Sequence, residues 1–417
     1  MAALGGCAAT RGRAPAPIDY GPGAFEVTSR SALVWHRLRG GGRLHVEYAI
    51  DAGFAQVSRT PAVDVTADTD YTVALPLEGL VPGQEYVYRA VVEDAAGRGP
   101  VGRFRTSPDR AGEFTFGFSG DIEAGHQPFR LFDSIARRRP EFFVLLGDTV
   151  YADVPRVRFT PSVTHYRDKH RENHEDPYLA RLLAGTPVYA MWDDHEVHND
   201  FDGTSPYIAE GLQAFREYWP VHGEGGDPTV LYRRFSWGPG ADFFVLDCRQ
   251  YRRPKGETDG PAKTMLGARQ KAWLKDGLRA SRAPFKFVLS SVPFHGPWGP
   301  DRWAGYATER DELLALVRAE RITGVIVLSA DVHAAVDVDL GTGVREFIAG
   351  PLGAWPLCRI VPQARGPLQA SGRFFICDTF NWALLTVRPE ASPPEVTLQF
   401  IDHTDAVRHR AVIPATG

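Results

Sequence analysis

The run Met191-Trp192-Asp193-Asp194-His195-Glu196-Val197-His198-Asn199-Asp200 crowds carboxylates, imidazoles and an amide directly behind a short apolar stretch. Each such group loses hydration when it is buried, so a chain gathers them at one strand end for chemistry rather than for stability. Two further clusters have the same character: Gly147-Asp148-Thr149-Val150-Tyr151-Ala152-Asp153 and Ala330-Asp331-Val332-His333. Asp121, Asp148, Asp194 and Asp331 each stand just beyond an apolar run. In open α/β sheets, ligands gather outside the carboxyl ends of the strands. Four acids delivered there repel one another unless a cation neutralises them. A single Asp in such a place reads equally well as a helix cap or turn residue. Four of them, beside His195 and His333, predict one composite metal site.

The chemistry such a site suits is hydrolysis of a phosphate ester. Two cations about 3.5–4 Å apart clamp a phosphoryl group and generate an attacking hydroxide between them. A carboxylate suits the bridging position, and Asp148, at the end of the most apolar strand, is the expected bridge. His195 is placed to protonate the leaving oxygen, since imidazole titrates near neutrality; its other reading is a buried, hydrogen-bonded structural histidine. Arg249 ends a strand, where it either holds a phosphate oxygen bidentately or forms a salt bridge. His295, Trp298 and Trp303 read as a pocket wall or as loop packing. His165, His170 and His174 lie in a polar helical segment and read as surface.

The elements that would position these groups are visible as a change of rhythm. From about residue 20 to 107, short β-prone runs such as Leu44-His45-Val46-Glu47-Tyr48 alternate with turns at Gly40-Gly41-Gly42, Val81-Pro82-Gly83 and Ala96-Gly97. That punctuation predicts a small antiparallel sandwich. The phrase from Leu80 to Arg89, closing at Gly102-Arg103-Phe104-Arg105-Thr106, resembles a fibronectin type III module. From Phe114 onward, continuous apolar strands at Phe114–Phe118, Phe142–Leu146, Val188–Trp192, Phe243–Asp247, Phe285–Ser290 and Gly324–Ser329 predict a sheet covered on both faces. Amphipathic stretches at Phe129–Arg138, Gly267–Arg279 and Thr308–Arg318 supply the helices. The tail, with Val396-Thr397-Leu398-Gln399-Phe400-Ile401, alternates and predicts added antiparallel strands. The expected organisation is a flexible Ala/Pro-rich leader at 1–19, a fibronectin III-like β-sandwich at 20–107 and a layered α/β catalytic domain with large central sheets at 110–417.

Composition narrows the function classes. With 417 residues the chain has room for two domains, and a net charge of −4 gives no electrostatic reason for nucleic-acid binding. No stretch approaches the length of a membrane span. Cys7, Cys248, Cys358 and Cys377 have neither zinc-finger nor redox-pair spacing. Cys248 sits in an apolar run as a buried small hydrophobe, and a Cys358–Cys377 disulfide is open if the protein is exported. Leu4-Gly5-Gly6-Cys7 resembles the end of a bacterial lipoprotein signal without its apolar region, which raises a lipid anchor at Cys7. Nothing in the sequence sets an oligomeric state.

The motifs Gly-Asp-x-x-Tyr-Ala-Asp, Trp-Asp-Asp-His-Glu-x-x-Asn-Asp and Leu-Ser-x-Asp-Val-His, standing at 147–153, 192–200 and 328–333, resemble the signatures of the PhoD-type alkaline phosphatases. These are calcineurin-like metallophosphoesterases with an N-terminal fibronectin-like domain, and the resemblance runs from about residue 20 to the end. It implies that Asp148 bridges the metals, that Tyr151 ligates one as a phenolate, and that Asp194, Asp331 and His333 complete the set beside His195 as the acid, with Asn199 as a further amide ligand. It implies calcium and iron as cofactors, manganese being an alternative, and export to the cell envelope, periplasm or medium. Two positions depart from the pattern. Asp121 stands where such enzymes often carry a thiolate ligand, which shifts the preference toward hard cations. Ala330 replaces a usual Gly. Two other function classes remain: a catalytically silent cell-surface binding protein, and a metallohydrolase of carboxyl esters or lactones.

Overall fold

A computed structural model describes residues 17–415, apart from 94–96, 297 and 342. The expected leader and Cys7 lie outside the described residues, except that the first strand already opens at Ile18. Among the described residues no helix is long and apolar enough to cross a membrane.

Two large sheets face each other. The first has nine strands in the order Val407–Pro414, Glu395–Asp402, Asn381–Arg388, Phe114–Ser119, Phe142–Leu146, Val188–Met191, Ile18–Phe25, Ser31–Leu38 and Thr72–Glu78. The second has seven: Arg233–Trp237, Ala241–Val245, Phe285–Leu289, Val325–Ser329, Arg345–Ile348, Ala335–Asp339 and Phe374–Ile376. Strand alternation sends one set of side chains between the sheets and the other outward. Phe116 thus stacks on Phe142 at 5.1 Å and meets Phe287 edge-on at 5.1 Å in the shared interior. Phe143 and Leu145 point the other way, onto helices Pro177–Gly185 and Ile208–Tyr218. Across the molecule Phe244 and Val288 pack under helices Gly267–Ala280 and Ala307–Ala319. The result is a helix–sheet–sheet–helix stack, and the tail does form the antiparallel edge.

The N-terminal sandwich has its own core, built on Val34, Leu44, Val46, Leu75, Tyr88 and Phe104. Its strands Gly42–Ala49, Glu85–Val92 and Gly102–Arg105 form a separate sheet with two short companions, Ser58–Arg59 and Val63–Val65. The other half of the sandwich is continuous with the nine-stranded sheet, joined where Phe25 pairs in parallel with Val188. Ser31–Leu38 is therefore buried on both faces: Val34 faces the sandwich core, while the Trp35 indole donates to the Glu217 carbonyl at 2.7 Å.

What matters for chemistry is that both parallel strand sets end on the same side. Phe114–Ser119, Phe142–Leu146 and Val188–Met191 run parallel, as do Ala241–Val245, Phe285–Leu289 and Val325–Ser329. Their carboxyl ends release Asp121, Asp148 and Asp194 from one sheet and Asp331 and His333 from the other.

Candidate metal centre

The turns that follow three of these strands hold their acids in the left-handed region. Asp121, Asp148, Asp331 and His333 all have φ between 51° and 70°. L-residues avoid this conformation, Asp less than most, and its concentration in one place marks a functional constraint. Two glycines make the turns possible. A Cβ on Gly147 (φ 100°) would lie 2.6 Å from that of Asp193, and one on Gly350 (φ 140°) would lie 2.3 Å from Asp121 Oδ2. Ala330 is not in the left-handed region; Asp331 after it takes the positive φ, so the turn does not need glycine at 330.

One oxygen or nitrogen from each of Asp121, Asp148 and His333 lies within 4.8 Å of the others, and the same holds for Asp148, Asp194 and His195, and for Asp193, Asp194 and Asp331. Asp148 belongs to two of these groups. The Tyr151 hydroxyl joins the first, 2.9 Å from His333 Nε2. His333 Nδ1 donates to the Trp355 carbonyl at 2.7 Å, which leaves the Nε2 lone pair turned to the centre. Burial holds this imidazole neutral, its pKa lowered to about 4. Asn199 lines the same cavity, and its backbone N–H donates to Asp153 Oδ2 at 3.0 Å.

Electrostatically the cluster is unbalanced. Both carboxylate oxygens of Asp121, and Oδ1 of Asp194, are buried without a hydrogen-bond partner among the described residues. Burial, then the neighbouring acids, push Asp121 and Asp148 far above the usual carboxylate range. Burial and the same acids push Tyr151 far above an ordinary phenol. A protein-only site of this kind would have to take up protons. A donor set of hard oxygens and one imidazole, with unpartnered lone pairs, fits cations.

His195 lies against this cluster. Its Nδ1 bonds Asp153 Oδ1 at 2.5 Å, and its ring stacks on Tyr151 at 4.1 Å. Burial alone would depress the imidazole, but Asp194 and Asp153 outweigh it and raise its pKa to about 9. Its backbone N–H donates to Asp148 Oδ1 at 3.2 Å. Glu196 ties two loops together, accepting from the Thr149 N–H at 2.6 Å, the Thr149 hydroxyl at 2.8 Å and the Asp193 N–H at 2.9 Å.

Arg249 is the correction. It is fully buried below the cavity rather than lining it, with Nε and Nη2 on Asp193 at 2.7 and 2.8 Å and Nη1 on Asp301 at 2.9 Å. Arg252 reaches Asp301 Oδ1 at 2.6 Å. With its fork occupied by carboxylates, Arg249 has no face left for a phosphate. The guanidinium that does line the cavity is Arg302, clamped to Asp331 at 2.5 and 2.9 Å. Both oxygens of Asp331 are thereby engaged, which makes it the least free of the four acids.

Other expectations divide. Trp298 lines the cavity, whereas Trp303 is buried against Phe294 with its indole on Ser290, and His295 is half-buried beside Glu346. His170 and His174 are not surface groups: both are buried, His170 stacked on Tyr218 at 5.1 Å and His174 against Trp219 at 5.0 Å. The sequence does not announce the pairing of Asp153 with His195, the brace of Glu196, or Arg302. The first two stand inside the acid-rich motifs, but Arg302 follows no apolar run that would flag it.

The cavity over the cluster holds about 280 Å³ and has Asp148, Asp194 and His195 in its lining. A larger groove of about 950 Å³ between the sandwich and helix Gly267–Ala280 carries none of these groups.

Comparison with known proteins agrees with this geometry. Residues 115–357 match the family model of the PhoD-like phosphatase, and residues 7–108 that of the PhoD-like phosphatase N-terminal domain. Alkaline phosphatase D of Bacillus subtilis (strain 168) is 27% identical over 380 residues, covering 76% of this chain; the chain spans 65% of that relative's length. The solved structure of PhoD superposes with a TM-score of 0.81 at 22% identity, covering 97% of this chain and 90% of its own. Purple acid phosphatase PPD1 from yellow lupin (Lupinus luteus) seeds has the same overall fold, with a TM-score of 0.66 at 13% identity over 95% of this chain and 74% of that one.

Proposed function

The chain belongs to the PhoD-like phosphatase family, and from that premise we propose that it is a metal-dependent phosphoesterase, cleaving phosphomonoesters, phosphodiesters or both. Asp121, Asp148, Tyr151 and His333 would hold one cation. Asp148, Asp194 and Asn199 would hold a second, with Asp331 joining them if Arg302 releases it. The observation that carries the reading is the sharing of Asp148 between two ligand groups, in which both oxygens of Asp121 and Oδ1 of Asp194 are buried with no partner among the described residues. When bound, the cations supply Lewis acidity to the phosphoryl group and acidify water.

The remaining roles belong to this chain's side chains. Asp153 fixes the His195 tautomer by accepting from Nδ1, so that Nε2 is left to serve the cavity. From there His195 donates a proton to the departing alkoxide. Arg302, at the cavity edge, balances charge beside the phosphoryl site. Arg249, Arg252 and Glu196 are positioning residues that fix the loops bearing Asp193, Asp194 and Asp148. The absence of a thiolate among these donors supports calcium, manganese or iron, and the calcium-and-iron pair remains part of this proposal. The Cys358–Cys377 disulfide supports an oxidising compartment, and hence export.

The test is turnover of p-nitrophenyl phosphate and bis-p-nitrophenyl phosphate with calcium, manganese or iron added, beside a carboxyl ester and a lactone, with elemental analysis of the purified protein. Phosphoester turnover that follows metal content is expected; none under any metal would sink the proposal. His195→Ala should keep its metal and lose about 10²–10⁴ in kcat, most for poor leaving groups. Loss of metal in that variant would remove His195 from the proton-donor role.

A further inference from the structure

Part of the cavity lining is of the opposite character. It is the strap running from Trp355 to Cys377, which carries the short helices Leu357–Ile360 and Arg365–Ser371. Leu357, Ile360 and Val361 line the cavity together with the acids, and Trp298 joins them. Ile360 and Val361 are 57% and 43% exposed, and Trp355 beside them is 54% exposed. Among the described residues nine large apolar side chains are exposed, and three fall within these seven positions. Such clustering marks a surface that something apolar covers.

The strap is also fixed in place. The disulfide ties Cys358 to Cys377, the Cys358 N–H donates to the Cys377 carbonyl at 2.6 Å, and the Leu357 N–H donates to the His333 carbonyl at 3.0 Å. Its apolar face is therefore held against the metal centre, through the same His333 that reads as a ligand. The indole N–H of Trp298 is buried with no acceptor among the described residues.

A phosphate ester seated on the acids has this strap within the same cavity to receive its organic group. We infer that this organic group is apolar, an aryl or compact alkyl ester rather than a sugar or polyol, and that Leu357, Ile360 and Val361 are its specificity surface. The inference rests on the phosphoesterase reading for the seat of the phosphoryl group. Hydroxyls laid on Leu357, Ile360 and Val361 would lose water against hydrocarbon and find no partner on those three side chains. At about 280 Å³ the cavity lies at the small end of ligand sites, so the gain from a longer group ends early.

The probe is a series of methyl-, ethyl-, propyl-, butyl- and hexylphosphonates, with 3-hydroxypropylphosphonate as the polar comparator. Affinity for the metal-loaded protein is measured by calorimetry and by inhibition of p-nitrophenyl phosphate hydrolysis. Affinity should rise about two- to fourfold per methylene up to butyl and then level off. The hydroxyl compound should bind more weakly than propyl. In the double variant Ile360→Ser, Val361→Ser the slope should flatten; both side chains are exposed, so the core is untouched. A flat series in the wild type, or an unchanged slope in the variant, overturns the inference. Calorimetry separates the two readings. Chain-length dependence without phosphoester turnover would sink the catalytic proposal alone, and turnover without chain-length dependence would sink this one alone.

Discussion

Within one site, two layers of buried acid are neutralised in different ways. In the lower layer Asp301 meets two guanidinium groups, and Arg249 and Arg252 pull its carboxyl below the usual range against the effect of burial. Asp193 shares Arg249 with it, and burial lifts Asp193 to about 7 despite that partner. In the upper layer Asp121 bonds no guanidinium among the described residues, and burial with its acidic neighbours drives it far above the ordinary value. Burial is similar throughout; what changes is the number of resident cations. A layer that arginines balance is architecture, whereas a layer left unbalanced calls for charge from outside the chain. The same comparison explains why a phosphate-binding role fails for Arg249: its charge is already used.

The largest effect that would break this comparison comes from the acid shared by both cation groups. Asp148→Asn removes the charge of the proposed bridge while keeping its shape. Metal content should fall by at least one ion, and turnover by about 10³-fold or more. Elemental analysis and single-turnover assay read the two quantities separately. Full metal and near-normal rates in this variant would mean that the upper layer is not a cation site.

The lower layer should answer in stability instead. Arg249→Met leaves Asp193 and half of Asp301 as buried charges without a partner, a change that costs about 3–5 kcal/mol. Urea unfolding of the chelator-treated protein measures it without contribution from bound metal. A loss below about 1 kcal/mol would show that solvent or a neighbour replaces the guanidinium, and that the lower layer is less dry than its geometry implies.

Much of this architecture is legible in the amino-acid sequence. Continuous apolar runs reveal the parallel strands, and the acids at their ends reveal the site, because a strand covered on both faces cannot disguise its composition and a buried acid has few other reasons to stand there. The N-terminal alternation points to a sandwich with equal clarity. What stays hidden depends on contacts distant in sequence. The direction of Arg249 is set by Asp301, 52 residues away. His170 and His174 read as solvated on a polar helix, yet Tyr218 and Trp219 from another helix cover them. The continuity of the sandwich with the catalytic sheet rests on the pairing of Phe25 with Val188, which no local pattern announces. Asp153 stands within an acid-rich motif, but only the fold brings it to the His195 ring.

The smallest effect sharpens the comparison from outside the site. Glu47 in the sandwich is a buried acid with no catalytic neighbour, and Arg89, Arg98 and Arg59 bond it at 2.8–3.1 Å. Burial works to raise its pKa, but the three arginines prevail and lower it to about 2. The folded value lies below the unfolded one, so the ionised carboxylate stabilises the fold fully above about pH 4.5, and that contribution fades as pH falls toward 2. Two of the arginines are more than half exposed, and solvent screening holds the contribution to about 1–2 kcal/mol. Glu47→Gln should therefore cost about that much at pH 7 and at pH 5, with the gap to the wild type closing below pH 4.5 in urea titrations. Asp121 and Asp148, raised by burial and by their acidic neighbours, carry the opposite sign in the chelator-treated protein, where their ionisation opposes folding. A gap for Glu47→Gln that widened on acidification would mean that arginine partners do not divide architectural acids from cation-seeking ones in this molecule.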